Sequence, residues 1–94
     1  MRRALPGLAY SDDRTGALHL RIFTQGYEFL GNFSWQPDTG LMFAATAKAL
    51  VEDAMIQGRE VQITNQANLL VFHARGDEML YPPGNPEEFW ESVS

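Results

Sequence analysis

The chain has 94 residues and no cysteine, which excludes disulfides, thiolate metal ligands and a cysteine nucleophile. Residues 1–75 hold seven basic and seven acidic side chains, whereas residues 76–94 add five acids, so the net charge of −5 lies in the C-terminal part. A neutral body without a basic stripe argues against duplex DNA binding, and no segment approaches the ~20 apolar residues that span a bilayer. With one uncrosslinked core to hold the fold, we expect a single-domain cytoplasmic protein.

The first strong signal is a β-hairpin. Apolar residues at every second position over 18–23 predict a half-buried strand, after a short apolar run at 8–10 that is allowed as an extra strand. Glycine in the pair Gln25-Gly26 suits a two-residue turn, which sets Thr24 opposite Tyr27. This register places one apolar row on the core side, namely Leu18, Leu20, Ile22, Phe29, Phe33 and Trp35.

A helix is predicted over residues 41–57, since apolar residues recur on one face at 100° per residue. Asp38 or Thr39 is suited to cap its start, and Gly58 to end it in the left-handed conformation. A second, weaker apolar stripe lies away from the main face, where a helix on a sheet does not need it. This second helix stripe, a candidate contact surface, consists of Met42, Ala45, Ala49 and Ile56.

A second hairpin follows, with strands near residues 61–64 and 69–73 and a turn at 65–68. Pairing Thr64 with Leu69 gives a consistent core side and places Glu60 opposite His73. The opposite side, which we call the outer sheet face, is left with four apolar residues beside its histidines and an arginine, so we expect something to cover it. Its members are His19, Arg21, Phe23, Leu30, Leu69, Val71 and His73.

After residue 76 the composition becomes acidic and aromatic. We therefore divide the chain into an α+β domain over residues 1–76 and a C-terminal tail over 77–94, with a short helix capped by Asn85. This amphipathic tail either docks in a basic-rimmed groove of a partner or folds back over the outer sheet face of its own chain. The candidate partner-binding residues are Tyr81, Glu87, Glu88, Phe89, Trp90 and Glu91.

The predicted fold class is α+β: a four- or five-stranded antiparallel sheet in (β)ββαββ order, one long helix on one face and a short C-terminal helix. The sequence contains no nucleophile with a matching base and no phosphate-binding loop. Its two histidines do not lie at ligand spacing with another ligand. We therefore expect no catalytic residues, no metal and no cofactor.

The leading hypothesis for function is a non-catalytic protein-binding module, such as an inhibitor, an immunity-type protein or an adaptor. Small proteins of this kind are common in phages and mobile elements. We expect a protein partner, with a homodimer left open as an alternative, and neither duplex DNA nor a membrane as the target. The alternative hypothesis is binding of single-stranded nucleic acid or a small anion on the outer sheet face, and a small histidine-dependent enzyme comes third.

Overall fold

The computed structural model of the chain describes residues 9–26, 28–37 and 43–93. Its elements are β1 (Leu18–Phe23), β2 (Phe29–Trp35), α1 (Ala44–Ile56), β3 (Glu60–Thr64), β4 (Leu70–Arg75), β5 (Glu78–Tyr81) and α2 (Pro86–Val93). The strands form one antiparallel sheet in the spatial order β2-β1-β3-β4-β5. This arrangement confirms the predicted α+β fold, with a five-stranded sheet, one long helix and a short C-terminal helix.

The fifth strand comes from the segment that we expected to be a separate tail. β5 pairs with β4 at the edge of the sheet, where Pro82 and Pro83, just beyond it, remove no hydrogen bond from a ladder. The described part of the N-terminal apolar run contributes one isolated parallel bridge, Tyr10 to Leu70. The Leu70 amide donates to the Ala9 carbonyl, and the Leu70 carbonyl accepts from the Ser11 amide, both at 2.8 Å. Residues 9–11 therefore form an N-terminal strap beside the start of β4.

The two hairpins have the same loop chemistry. Thr24 and Glu28 close the first loop through a backbone hydrogen bond of 2.9 Å, and Asn65 and Leu69 close the second in the same way. Thr24 Oγ1 also accepts from the amides of Gly26 and Glu28, at 3.2 and 3.0 Å. Asn65 Oδ1 accepts likewise from the amides two and four residues further on, at 2.9 and 3.1 Å. A side chain at the first position thus stabilises a loop one residue longer than a two-residue turn.

Because of these loops, the strand registers differ from the predicted ones. Leu18 pairs with Trp35 rather than Phe33, and Gln62, rather than Glu60, pairs with His73. Both shifts amount to two residues, which keeps most side chains on the predicted face because strand side chains alternate with a period of two. The first loop is one residue longer than predicted and the second one residue shorter, and each of these differences shifts the register by one residue. A bulge in each hairpin, at Ile22/Phe23 and at Ile63/Thr64, adds the second residue of the shift.

The core lies on the sheet face that carries Leu20, Ile63 and Phe72, which are direct neighbours across β1, β3 and β4. We call it the inner sheet face. α1 packs on it through Ala47, Val51 and Ala54, whose small side chains let the helix approach closely. Val71, expected on the outer sheet face, belongs to this core cluster instead, because the bulge in the β3–β4 pairing breaks the alternation.

α1 begins later than predicted and ends where predicted. Phe43 occupies the cap position, makes no side-chain capping bond and is 73% exposed; positions 38, 39 and 42 lie outside the described residues. At the other end Gly58 has φ of +78°. Its amide donates to the Met55 carbonyl and the Arg59 amide to the Ala54 carbonyl, both at 3.0 Å. This pair of bonds is the Schellman motif, and it confirms the role predicted for Gly58.

The helix end gives a test of this local geometry. We expect Gly58→Ala to lower the free energy of unfolding by about 1–2 kcal/mol, because a Cβ at positive φ meets the preceding carbonyl. Gly26→Ala is the matched control, since a Cβ there would meet its nearest described atom, Thr24 Oγ1, at 3.8 Å. Urea denaturation of both variants measures the difference, and an equal effect in the two would contradict the assignment.

Candidate functional site

The aromatic residues of α2 lie in the core of their own chain. Phe89 packs against Phe72 with ring centroids 4.9 Å apart, and Trp90 lies 6.5 Å from Trp35 and 6.2 Å from Phe72. Phe89 is 0% exposed and Trp90 is 3% exposed. Asn85 caps the helix as predicted, with its Oδ1 accepting from the Glu88 amide at 3.3 Å. The tail thus folds back, but onto the inner sheet face beside α1 rather than onto the outer one.

This placement divides the predicted partner-binding residues. Phe89 and Trp90 are buried, whereas three acids of α2 stay exposed: Glu87, Glu88 and Glu91. Tyr81 is half-buried and stacks on Tyr10, with ring centroids 4.4 Å apart and planes 1° from parallel. A surface role is therefore open to the acids of the tail, whereas Phe89 is closed off in the core and Trp90 keeps only a small exposed edge.

Between α1 and α2 the surface forms a groove with Trp90 as part of its floor. One part has a volume of about 400 Å³ and lies toward the end of α1. A second part, of about 440 Å³, adjoins it toward the start of α1. We call both parts together the interhelix groove. Its lining consists of Ala44, Ala45, Lys48, Val51, Glu52, Met55, Ile56, Asp77, Pro86, Glu87, Trp90 and Glu91.

The rim of the interhelix groove is acidic. Four of its five charged residues are carboxylates: Glu52, Asp77, Glu87 and Glu91. Lys48 on α1 reaches Glu87 on α2, with Nζ 3.2 Å from Oε1. Among the described residues no cation lies within ion-pairing distance of Glu52, Asp77 or Glu91. The groove therefore presents a net negative potential.

The second helix stripe partly lines this groove. Ile56 is 85% exposed at one end, and Ala45 lies near the other. Ala49 is exposed outside the lining, and Met42 is not among the described residues. Ile56 and the tail acids were predicted as two separate contact surfaces, and no sequence pattern indicates that one groove joins them. Met55, which also packs against the core, lines the groove as well.

The outer sheet face carries polar groups at its centre and apolar groups near the β1–β2 loop. Phe23 is buried against Phe29, with ring centroids 5.4 Å apart, and Leu30 remains exposed at the edge strand. Arg21 and Leu69 are half-buried, and half-buried His19 has its Nδ1 2.8 Å from Ser34 Oγ. The apolar surplus predicted for this face is therefore smaller in the structure, since Phe23 has a partner in its own chain.

A buried polar network occupies the β3–β4 part of the outer sheet face. His73 Nε2 lies 2.8 Å from Glu60 Oε2, and the Gln62 side-chain amide donates to the same oxygen at 2.9 Å. On the other side of the ring, His73 Nδ1 lies 3.0 Å from the Tyr10 hydroxyl. The predicted His73–Glu60 contact thus exists, but it runs diagonally across the strands. Sequence reasoning missed Tyr10, because no local pattern places the strap beside β4.

Phe89 tests whether α2 belongs to the core. We expect Phe89→Ala to lower the free energy of unfolding by about 3–5 kcal/mol, since truncation leaves a cavity between α2 and β4. Ile56→Ala should change it by less than about 0.5 kcal/mol, because that side chain is in water. Chemical denaturation compares the two, and a mild effect of Phe89→Ala would show that α2 is dispensable for folding.

Tyr81 gives a pH test. Its hydroxyl donates to Asp12 Oδ1 at 2.6 Å, and this hydrogen bond, with smaller contributions from burial and the Asp12 charge, raises the pKa of Tyr81 above 10.0. The stabilisation is therefore complete below pH 10.0 and is lost as the pH rises through the higher folded-state pKa. Tyr81→Phe should remove the tyrosine that titrates above pH 10.0 in an ultraviolet absorbance titration. An unchanged titration curve at high pH would contradict the assignment.

Similarity to known proteins assigns no role to these residues. Comparison with models of known families, with curated proteins and with solved structures finds no match in any of the three. Within the described ranges no cluster of three or more histidine and carboxylate side chains is arranged to hold a metal ion. In the same ranges neither helix has the length and apolar character needed to cross a membrane.

Proposed function

We propose that this chain is a small non-catalytic protein-binding module, and that its interhelix groove receives a basic amphipathic helix of a partner protein. The observation that carries the proposal is the combination of an apolar floor with an acidic rim. Helix-in-groove recognition uses an apolar floor for anchoring side chains, and complementary charge around it selects the partner. The partner selected in this way is basic, as the acidic tail predicted, but the groove belongs to this chain and not to the partner.

The apolar part of the groove has suitable dimensions. α1 has 13 residues, so the groove beside it is about 20 Å long, which matches three to four turns of a partner helix. Ile56 and Met55 offer accessible apolar surface at one end, and the Trp90 ring lies between the two parts. Burying Ile56 on binding would remove the most exposed large apolar side chain of the described residues from water.

The acidic rim contributes mainly to selection and to the rate of association. Exposed ion pairs add little affinity, about 0–1 kcal/mol each, but a field of one sign steers an oppositely charged partner toward the groove. The Lys48–Glu87 pair crosses between the two helices and satisfies one of the rim carboxylates within the chain. Glu52 and Asp77 then remain to pair with lysine or arginine side chains of the incoming helix.

The remaining parts of the proposal follow from this mode of action. An inhibitor, an immunity-type protein and an adaptor all act through such a surface, and none of them needs a cofactor. A cytoplasmic location stays a prediction from the absence of cysteine. The alternative, binding of single-stranded nucleic acid or a small anion on the outer sheet face, has less support, because Glu60 places a carboxylate there and His73 is buried.

Charge-matched variants test the groove. The probe is a fluorescent synthetic peptide of 14 residues that forms an amphipathic helix with leucine on one face and lysine on the other. We expect Glu52→Lys to weaken its binding about fivefold, roughly 1 kcal/mol, in fluorescence anisotropy at physiological salt. The control is Glu28→Lys, which changes the net charge equally at an exposed acid that lines neither part of the groove.

Two further measurements with the same assay test the apolar floor and the charge of the rim. Ile56→Asp should also weaken the peptide, because it puts a carboxylate where an apolar anchor docks, whereas a peptide with glutamate in place of lysine should not bind. An equal loss in Glu52→Lys and Glu28→Lys would reduce the effect to bulk charge. That result, or absence of binding by the lysine peptide, would overturn the proposal.

A further inference from the structure

The polar network on the outer sheet face connects a buried carboxylate to a surface tyrosine. Glu60 is 1% exposed and His73 is 0% exposed, whereas Tyr10 is 42% exposed. The three groups follow one another through contacts of 2.8 and 3.0 Å, one on each nitrogen of the imidazole. A carboxylate, a histidine and a hydroxyl in this order form the arrangement in which a base activates a nucleophile and a third group orients the base.

The chemistry of the contacts fixes the direction of the hydrogen bonds. An ionised Glu60 only accepts, so Nε2 of a neutral His73 carries the proton and donates it to the carboxylate. Nδ1 then holds a lone pair and accepts from the Tyr10 hydroxyl. When that proton moves to Nδ1, the resulting imidazolium is stabilised by the adjacent Glu60 charge. The network is therefore oriented to take a proton from Tyr10.

The polar network stabilises this part of a small domain less than well-packed apolar side chains would. Two buried atoms beside it, Gln62 Oε1 and Thr64 Oγ1, have no hydrogen-bond partner among the described residues. Unsatisfied buried groups cost stability, and a buried carboxylate paired with a cation, here Glu60 with Arg75 Nε 3.7 Å from its Oε1, is commonly no more stable than apolar side chains of the same volume. The second oxygen of Glu60 contacts His73, and a carboxylate in this position suits the tuning of a proton acceptor.

The strap holds the hydroxyl in position. The backbone bonds on both sides of Tyr10 tie residues 9–11 to Leu70, and the Tyr10 ring lies flat on Tyr81. Rotation of the ring away from His73 would break the stacking, so the hydroxyl stays within reach of Nδ1. Because the side chain remains partly exposed, a small molecule is able to approach it from solvent.

We propose that Tyr10 is a reactive nucleophilic site, activated by the His73–Glu60 pair, which accepts an acyl group from a small activated ester. The Tyr10 oxygen forms a bond to the carbonyl carbon, and its proton passes to His73 Nδ1. The bond from that carbon to the leaving alkoxide or phenoxide breaks, and the leaving group departs with the electron pair. His73 then releases its extra proton to solvent, which leaves an O-acyl tyrosine. This site is independent of the interhelix groove.

The test uses the full chain and p-nitrophenyl acetate as the probe. Peptide mapping by mass spectrometry measures the acetylation rate of Tyr10 beside that of Tyr81 in the same molecule, with N-acetyltyrosine amide as the free reference. We expect Tyr10 to react about a hundredfold faster than the free phenol at neutral pH, the usual contribution of a positioned general base. The acetylation rate of Tyr10 should stop rising with pH well below pH 10, whereas the acetylation rate of an unassisted phenol rises tenfold per pH unit up to about pH 10.

Glu60→Gln is the matched variant, because it keeps the size and an acceptor oxygen but removes the charge that stabilises the imidazolium. We expect it to slow acetylation of Tyr10 at least tenfold while leaving Tyr81 unchanged. If this variant does not fold, as judged by circular dichroism, the pH profile of the native chain decides alone. A Tyr10 rate no higher than that of the free phenol, or one that climbs tenfold per unit up to pH 10, would overturn the proposal.

Discussion

The architecture depends on a mismatch of widths between the sheet and its long helix. Five strands spaced about 4.8 Å apart span about 19 Å, whereas an α-helix is about 10 Å across. α1 therefore covers only part of the inner sheet face, and it does so with small residues that seat it close to β1 and β3. Phe72 and Trp35 would remain in water if α2 did not return to cover them. The C-terminal segment is thus required by the dimensions of the sheet and completes its core.

The interhelix groove is a consequence of the same mismatch. Two helices laid on one sheet fill the inner face only if they touch along their length, and here a single ion pair, Lys48 to Glu87, joins their exposed flanks among the described residues. Trp90 lies between them as part of the floor and does not fill the gap. Glu87, which lies in the first turn of α2 and favours its N-terminus, and Glu91 then form the α2 side of the rim. Fold stability and the proposed recognition of a partner therefore draw on the same eight-residue helix.

Sequence patterns predicted the faces of the strands well and their registers poorly, for one physical reason. Alternation of apolar and polar residues has a period of two, so a shift of two residues leaves the pattern intact. The side chains of Thr24 and Asn65 set the lengths of the two loops by accepting hydrogen bonds from amides two and four residues further on. Such capping is local and readable in principle, and giving it more weight would have corrected the loop of each hairpin, which accounts for one residue of each two-residue shift. The other residue comes from a bulge in each strand pair, and the bulge at Ile63/Thr64, which moves Val71 into the core, has no signal in the loop residues.

The candidate sites were less predictable because each joins segments that are distant along the chain. The groove brings the end of α1 to Asp77 and α2, and the polar network brings Tyr10 to His73, 63 residues later. No periodic pattern in the sequence predicts these contacts, because they depend on the loop at residues 12–14, which follows the strap. In that loop Asp12 accepts from Tyr81, the Asp13 carbonyl accepts from Asn65 Nδ2, and Arg14 lies 4.8 Å from the centre of the Phe89 ring. The loop therefore ties β5, the β3–β4 turn and α2 together, so that packing of α2 in the core also positions Tyr10 over His73. A substitution that weakens the packing of α2 should therefore also weaken the Tyr10–His73 contact on the outer sheet face, although no side chain of α2 reaches that face.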